Sequence, residues 1–286
     1  MTALALLLTL AAAQQPQVFS SEVEAVYVDV FVAKADQPVQ GLTAQDFVLE
    51  DDGVRQDIEV VDRSLLPTTA VLALDISSSM AQADKLVHLK RAARAFIRGM
   101  AAKDEAALVT FDQAVVLRQA PTTDHEAVLH ALAVARPRGG TAVIDALYLC
   151  LQRQWGSGRP LVVLFSDGED SASWLPNGAV LEAARGSSAL LYVVGTTPVA
   201  KEAGYVRLLR RAAEATGGAY LAAGSGKDLQ SKFVEILEAA NARYVLRYSP
   251  EGVKRAGRHE IKVSVHRHGV KVRARQEYFV QAPSAP

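Results

Sequence analysis

The sequence predicts an α/β protein in which a doubly wound, mostly parallel sheet is inserted into a small β-sandwich formed by the N- and C-terminal segments. Within 67–241, short apolar runs alternate with segments of helical periodicity, as in parallel strands joined by crossover helices. On both sides, in 22–65 and 243–281, apolar and polar residues alternate with period two, which is typical of half-buried strands. Since a few strands are rarely stable alone, we expect the two flanks to pair. The alternative is two separate flanking hairpins.

The inserted segment shows strands and helices in alternation. Several of its apolar runs are apolar on both faces, as a sheet covered by helices on both sides requires. The predicted strands are Ala70–Ile76, Ala106–Phe111, Val115–Gln119, Leu161–Phe165, Leu190–Gly195 and Ala219–Ala222. The predicted helices are Ala83–Met100, Asp124–Ala135, Ala142–Gln154, Ala179–Ser187, Tyr205–Thr216 and Lys227–Asn241.

The flanking segments contain recognisable turns between their strands. Thr43 is placed to cap a single helical turn. Asp52-Gly53 is a strong turn dipeptide and predicts a hairpin between 48–51 and 57–61. The stretch 267–269 similarly predicts a hairpin between 261–266 and 270–274.

The overall composition is that of a globular protein without a dominant charge. The chain has 286 residues, of which 50% are hydrophobic and 22% charged, and its 31 basic residues balance 31 acidic ones. No global field would attract nucleic acid. A polyanion-binding strand face remains an alternative near the C-terminus, although a solvated sheet face is favoured; its basic residues are Lys254, Arg255, Arg258, Lys262, Arg267, Lys271, Arg273 and Arg275.

The two chain ends differ from the rest. Residues 1–13 are small and apolar and end in an Ala-rich stretch, which predicts a cleaved signal peptide and a secreted or periplasmic protein. A frayed or buried N-terminal segment is the alternative reading. The run is too short to span a bilayer, which needs roughly 20 residues, so no membrane span is expected. Residues 282–286 predict a disordered tail.

Hard oxygen ligands follow the ends of two predicted strands. Asp75, Ser77 and Ser79 form an Asp-x-Ser-x-Ser pattern after the first strand, and Asp167 follows the strand 161–165. Thr141 follows a glycine pair just ahead of a helix. Because the carboxyl ends of parallel strands share one edge, these groups should meet there. Oxygen donors without sulfur or imidazole favour Mg²⁺ or Mn²⁺ over Zn²⁺.

Other polar residues near these loops have simpler interpretations. For Ser79 taken alone, a helix cap is the favoured interpretation. Asp145 and Asp170 are candidates for supporting the metal ligands, or for solvated or capping roles. Cys150, the single cysteine, lies in an apolar helical pattern and is expected to be buried. The histidines show no spacing typical of metal ligands.

The set Asp75, Ser77, Ser79, Thr141 and Asp167 resembles the metal-ion-dependent adhesion site of von Willebrand factor type A domains, and the flanks at 41–47 and 244–248 resemble those of related bacterial secreted proteins. The resemblance implies that Ser77 and Ser79 bind the ion directly, that Thr141 does so directly or through water, and that Asp75 and Asp167 do so directly or through waters. It further implies a non-enzymatic adhesion module, in which a partner protein contributes an Asp or Glu side chain to the ion.

A phosphohydrolase of the haloacid-dehalogenase type is the alternative function, with Asp75 as nucleophile. Such enzymes also place an Asp after their first strand, and 166–170 imitates their later motif. Their usual general acid, two residues after the nucleophile, is Ser77 here, so the leaving group would not be protonated. Nucleotide binding is disfavoured because no P-loop or Gly-x-Gly-x-x-Gly motif follows a strand.

Overall fold

The structure is a computed structural model that describes residues 25–35, 37–196 and 204–281. The predicted signal peptide, 1–13, and the predicted tail, 282–286, lie outside the described residues. Among the described residues, no helix is both long and apolar enough to cross a bilayer.

The elements follow the predicted alternation. The strands are β1 (Val26–Lys34), β2 (Gln37–Pro38), β3 (Phe47–Asp51), β4 (Val54–Arg55), β5 (Glu59–Val61), β6 (Thr68–Asp75), β7 (Glu105–Phe111), β8 (Val115–Thr122), β9 (Arg159–Ser166), β10 (Leu190–Gly195), β11 (Ala219–Ala222), β12 (Tyr244–Tyr248), β13 (Gly257–Val265), β14 (Lys271–Arg273) and β15 (Glu277–Val280). The helices are α1 (Lys85–Gly99), α2 (His125–Ala133), α3 (Val143–Gln152), α4 (Asn177–Gly186), α5 (Gly204–Ala215) and α6 (Gly226–Asn241). Short 3₁₀ turns cover Ala44–Asp46, Arg63–Leu65 and Ser78–Asp84.

The central sheet has the strand order β11-β10-β9-β6-β7-β8 and is parallel apart from β8. β8 runs antiparallel because only residues 112–114 connect it to β7, and a crossover to a parallel strand needs a much longer connection. Every residue of β6 is buried, since the strand lies in the middle of the sheet between β9 and β7.

Helices cover both faces of this sheet, as the doubly apolar strands predict. On one face, alternate β6 residues such as Leu72 pack with α1, α2 and α6, where Phe96 meets Phe233 edge to face at 6.2 Å. On the other face, Val71 and Ala73 pack with α3, α4 and α5. α1 follows the amphipathic pattern, because its buried residues recur at helical spacing: Leu89, Ala92, Ala93, Phe96 and Ile97.

The flanking strands form two further sheets that share one apolar cluster. One sheet has the order β14-β1-β12-β5, with β2 also paired to β1, and the other has the order β15-β13-β3-β4. Both sheets combine strands from the two chain ends, and their inward side chains pack together, among them Val28, Leu49 and Leu246. The expected β-sandwich around an inserted α/β segment is therefore confirmed.

The predicted pairing within the flanks is partly wrong. Asp52-Gly53 does form a turn, between β3 and the short β4, but Glu59–Val61 leaves this hairpin and pairs with β12 in the other sheet. The predicted hairpin between 261–266 and 270–274 does not form: β13 pairs with β3 and β15, whereas β14 pairs with Phe31–Ala33 of β1. β12 pairs with residues 26–30 of β1 but not beyond them, and β14 provides backbone partners for the next three residues. Period-two patterns cannot reveal this exchange between sheets.

Candidate metal centre

The predicted ligand residues lie at the carboxyl edge of the central sheet. β6 and β9 are parallel neighbours in register, with Leu74 opposite Phe165, so Asp75 and the residues after Phe165 leave the sheet side by side. β7 lies on one side of β6 and β9 lies on the other, so the connections after β6 and β9 lead to opposite sides of the sheet. In open α/β sheets, a crevice that binds ligands forms at such a point.

Asp75 is fully buried at the bottom of this crevice. Its Oδ1 accepts a hydrogen bond from the backbone N–H of Ser77 at 2.8 Å, and its Oδ2 accepts one from the hydroxyl of Ser166 at 2.7 Å. Both carboxylate oxygens are therefore held in place by neighbouring donors. The side chain is fixed in position by the two strands that meet there.

Ser77, Ser79 and Asp167 form a continuous chain of oxygens. The hydroxyls of Ser77 and Ser79 are 3.0 Å apart, and the hydroxyl of Ser79 donates to Oδ1 of Asp167 at 2.7 Å. Oδ2 of Asp167 lies 2.5 Å from Nζ of Lys85, at the start of α1. The alternative of Ser79 as a helix cap finds no support, since its hydroxyl faces Asp167 across the crevice.

The loop that leads to Thr141 is bonded to the Asp-x-Ser-x-Ser loop through the backbone. The N–H of Arg138 donates to Ile76 O at 2.8 Å, and the N–H of Ser78 donates to Gly139 O at 3.1 Å. Gly139 has a φ of +67°, a left-handed conformation that glycine adopts without strain. The loop therefore reaches the crevice in a defined position.

Thr141 is buried at the crevice and is bonded to the loop that follows Asp167. Its N–H donates to the hydroxyl of Ser171 at 3.0 Å, and its carbonyl accepts from the N–H groups of Ser171 and Ala172 at 2.9 and 3.1 Å. Three loops thus converge, and the five predicted residues Asp75, Ser77, Ser79, Thr141 and Asp167 come to one edge. We call these five residues the acidic rim.

The acidic rim is electrostatically suited to a cation. Burial raises the pKa of Asp75 above its ordinary value, and the nearby charge of Asp167 raises it further, although hydrogen bonds from Ser77 and Ser166 oppose the shift. Burial likewise raises the pKa of Tyr205, with added contributions from the charges of Asp170 and Asp75. A site that disfavours its own negative charge is stabilised by a bound positive charge.

The donor set also fits a divalent ion. It offers two carboxylates and three hydroxyls, which are the oxygen ligands that hard cations prefer. The carboxylates of Asp75 and Asp167 would together neutralise a +2 charge, and the ammonium of Lys85 already lies against one of them. The residues present therefore fit a divalent metal ion.

Asp145 and Asp170 serve the loops around the rim. The carboxylate of Asp145 accepts from the backbone N–H groups of Trp174 and Leu175, both at 3.0 Å. Oδ1 of Asp170 accepts from the N–H of Ile144 at 3.2 Å and from the hydroxyl of Ser173 at 2.6 Å. These contacts bind the 167–176 loop to the first turn of α3. Asp170 caps this helix, whereas Asp145 bonds to the backbone of the loop.

Sequence reasoning missed Lys85, Ser166 and Ser171 as parts of this edge. Ser166 ends β9 and faces Asp75, and its place directly before Asp167 was the available signal. Lys85 and Ser171 belong to loops or helix starts whose approach to the rim depends on tertiary structure. Their local sequence offers no comparable signal.

A separate polar cluster lies inside the β-sandwich. Asp51 is fully buried and accepts hydrogen bonds from the hydroxyls of Tyr248 and Tyr278, at 2.9 and 2.7 Å, while its other oxygen lies 3.0 Å from Nδ1 of His259. Asp52 lies 3.4 Å from the same nitrogen. Burial raises the pKa of both tyrosines, so they remain neutral donors. The sequence did not predict this cluster.

Cys150 is buried on α3, as expected. Burial raises the pKa of its thiol to about 12, so the reactive thiolate is disfavoured.

Comparisons with known proteins agree with the fold. Residues 70–169 match the sequence profile described as von Willebrand factor type A domain. The fold is similar to that of a von Willebrand factor type A protein from Catenulispora acidiphila, with 13% identity, a TM-score of 0.53, and coverage of 94% of this chain and 76% of that chain. No curated protein sequence matches the chain.

Two other solved structures share the fold. One is a point variant of the PilB minor pilin from Streptococcus sanguinis, with 12% identity, a TM-score of 0.51, and coverage of 78% of this chain and 80% of that one. The other is proximal thread matrix protein 1 from the mussel byssus, described with a zinc-occupied MIDAS motif, with 14% identity, a TM-score of 0.50, and coverage of 61% of this chain and 48% of that one. At these identities the similarity shows the fold alone.

Proposed function

Because residues 70–169 match the sequence profile of the von Willebrand factor type A domain, we propose that the chain is a metal-dependent binding protein of this family. One Mg²⁺ or Mn²⁺ is held by the acidic rim, with Asp75, Ser77, Ser79, Thr141 and Asp167 as ligands directly or through water. A partner protein is recruited through an Asp or Glu side chain, without turnover. The observation that supports this most is the convergence of three loops that brings these five residues to one sheet edge.

The residues of the rim have distinct tasks in this proposal. Ser77 and Ser79 present hydroxyl oxygens that are already within 3.0 Å of each other, and Asp167 lies one hydrogen bond further along. Asp75 is oriented by Ser77 and Ser166 and contributes charge from the bottom of the crevice. When bound, the metal ion supplies a positive centre that attracts a carboxylate.

The alternative phosphohydrolase function finds no support in the comparisons. The geometry at Asp75 also disfavours it. A nucleophile must reach its substrate, whereas Asp75 is fully buried and both of its oxygens accept hydrogen bonds. Ser77 stands where such an enzyme needs a proton donor, and its ordinary hydroxyl does not transfer a proton near neutral pH.

The cellular location and the domain boundaries belong to the same proposal. We place the protein outside the cytoplasm, secreted or periplasmic, with a signal peptide at 1–13 and a disordered tail at 282–286. The adhesion domain covers 67–241, and the sandwich combines 22–65 with 243–281. The pairing of β1 with β12 and of β3 with β13 supports this division, because it joins the two flanks.

The test is metal-dependent thermal stabilisation. At 100 times the dissociation constant, an ion that binds the native state alone stabilises it by about 2.7 kcal/mol, which raises the melting temperature measurably. We expect Mg²⁺ or Mn²⁺ to raise the melting temperature of the wild type, and Ser79→Ala and Asp167→Asn to abolish the effect. Asp124→Asn is the control, since Asp124 caps α2 away from the rim. Equal stabilisation of all four proteins would exclude the rim as the metal site.

A further inference from the structure

Trp174 is almost fully exposed beside the acidic rim. Its exposed fraction is 92%, the largest among the bulky apolar residues that the structure describes. The other tryptophan, Trp155, is 3% exposed, and its indole N–H donates to Cys150 O at 2.7 Å. A large aromatic ring left in water has apolar surface that a partner could cover, so an exposed ring on an ordered loop can serve as a binding contact.

The backbone that carries Trp174 is held firmly. The N–H groups of Trp174 and Leu175 both donate to the carboxylate of Asp145, and the hydroxyl of Ser173 donates to Asp170. The side chain of Leu175 packs against the apolar cluster beneath α3 and α4. The loop is therefore an ordered support that presents one ring to the solvent, and little further ordering would be needed on binding.

Trp174 lies close to the rim. Ser171, three residues earlier, bonds to Thr141 through both its N–H and its hydroxyl, so the loop starts in direct contact with a proposed metal ligand. Three residues span at most about 10 Å, which bounds the separation of the Trp174 backbone from that contact. In an extended peptide, side chains two to four positions apart are about 7–13 Å apart.

Two cationic side chains lie at this surface, each paired with an aspartate. The side chain of Arg138 is 62% exposed and emerges from the loop before Thr141, while its guanidinium pairs with the buried Asp112 at 2.6 Å. Lys85 is 37% exposed on the Asp167 side. Two cationic groups and an exposed indole thus flank the rim. Tryptophan and arginine are also the residues most enriched in binding hot spots.

We propose that Trp174 is an apolar anchor for the partner. The ligand is an extended acidic segment whose Asp or Glu side chain reaches the rim. Two to four residues away in the same segment, an aliphatic or aromatic side chain packs on the indole of Trp174. The requirement for an Asp or Glu in the ligand rests on the proposed function. The requirement for an apolar side chain is supported by the exposure of Trp174 and by the ordered loop that carries it. Together they define the class of peptide that this surface recognises.

The experiment is a selection from a random twelve-residue peptide library displayed on phage, against the full chain with Mg²⁺ and with EDTA. We expect Mg²⁺-dependent peptides in which an acidic residue is followed or preceded, within two to four positions, by an apolar one. Selection against Trp174→Ser should keep the acidic residue and lose the apolar preference. Phe279→Ser is the matched control, because Phe279 is an exposed aromatic residue on β15, at 57% exposure.

Binding of a selected synthetic peptide provides the quantitative readout. We expect Trp174→Ser to weaken it by about tenfold or more, Trp174→Phe to retain most of it, and Phe279→Ser to leave it unchanged. Peptide binding should also shift the Trp174 emission to the blue, while the buried Trp155 contributes a constant background. Because the Trp174 side chain is exposed, both variants at this position should keep the wild-type melting temperature and its response to Mg²⁺.

The outcomes separate the two ideas. Mg²⁺-dependent peptides that are acidic without an apolar preference, or that bind Trp174→Ser as tightly as the wild type, would overturn the anchor and leave the proposed function standing. An absence of Mg²⁺-dependent enrichment would overturn both. Apolar peptides that bind equally in EDTA would show that the indole acts independently of the rim, and would also overturn the proposal.

Discussion

Replacing Asp51 should strongly destabilise the β-sandwich. The buried carboxylate is the common acceptor for Tyr248, Tyr278 and His259, which lie on β12, β15 and β13. β12 belongs to one sheet, whereas β3, β13 and β15 belong to the other. A single side chain from the N-terminal flank therefore connects both sheets to the C-terminal flank.

The magnitude follows from the donors that would lose their acceptor. Asp51→Ala removes the buried acceptor of two tyrosine hydroxyls and leaves the imidazole N–H only its 3.4 Å contact with Asp52, and each buried donor that loses its acceptor costs about 1–3 kcal/mol. Partial relaxation lowers the sum, so we expect a loss of about 4 kcal/mol. Removing one member of a buried charged network typically costs about 3–5 kcal/mol, which agrees.

Asp51→Asn should have an intermediate effect of about 2 kcal/mol. The amide oxygen still accepts from the tyrosines, but the NH₂ group then faces Nδ1 of His259 and forces the ring proton onto Nε2. Nε2 is buried and has no hydrogen-bond partner, so this proton would remain unsatisfied. The order of stability should be wild type, then Asp51→Asn, then Asp51→Ala.

Urea unfolding followed by circular dichroism measures these differences through the midpoint and slope of the transition. Asp52→Asn is the control: Asp52 is partly exposed, and its positive φ of 46° is one that asparagine tolerates. We expect it to change the free energy of unfolding by less than about 1 kcal/mol. If Asp51→Ala were no more destabilising than Asp52→Asn, the cluster would not connect the sheets energetically, and the reasoning would be refuted.

Two further predictions concern the rim. The ammonium of Lys85 lies against an oxygen of Asp167 that a metal would share, so the two cations compete for it. Lys85→Gln should therefore tighten Mn²⁺ binding by about tenfold in titration calorimetry, whereas the control Lys90→Gln, on the same helix, should leave the affinity unchanged. An unchanged Mn²⁺ affinity in Lys85→Gln would contradict the competition. Burial raises the folded pKa of Asp75 above its ordinary 3.8, so metal-free stability falls as pH rises from 3.8 through the raised folded pKa. At pH 7 in EDTA, Asp75→Asn should therefore have a higher melting temperature than the wild type, and Mg²⁺ should no longer raise it. A melting temperature below that of the wild type in EDTA would show that the ionised Asp75 stabilises the metal-free protein, which would contradict the prediction.

The sequence predicts the central sheet well because its signals are local. An apolar run that is buried on both faces can occupy few positions in an α/β protein, and Leu190–Gly195 and Ala219–Ala222 have the predicted bounds. The convergence of Asp75 and Asp167 also follows from local information. Asp75 ends one apolar strand and Asp167 directly follows another, and parallel strands end at a common edge.

The remaining features depend on contacts between distant residues. Period-two alternation predicts that 261–266 is a strand, but not that its partner is β3 rather than β14. Asp51 reads as one more acidic residue before a turn, although three donors from more than 190 positions away converge on it. Lys85 likewise reads as an ordinary first-turn residue of α1. Its contact with Asp167 spans 82 positions and depends on the strand order of the sheet.

The position of the β-sandwich explains how the rim stays accessible. Arg159, at the start of β9, pairs with Asp29 of β1, and Arg63 donates to Asn241 O at the end of α6 at 2.9 Å. Arg243 is 4% exposed and donates to the carbonyls of Asp29 and Gly217 at 3.1 and 2.8 Å. These contacts lie where the parallel strands begin, whereas the rim lies where they end.

The length of β9 sets the distance between the junction with the sandwich and the rim. Its eight residues span about 26 Å, so the junction with the sandwich and the rim are on opposite ends of the sheet. Burial lowers the pKa of Arg243, yet its hydrogen bonds to carbonyls from both parts of the chain keep this side chain at the junction. A partner that binds at Trp174 and the rim would therefore approach from the side facing away from the sandwich. In that case the sandwich would not contribute to the specificity of the proposed site.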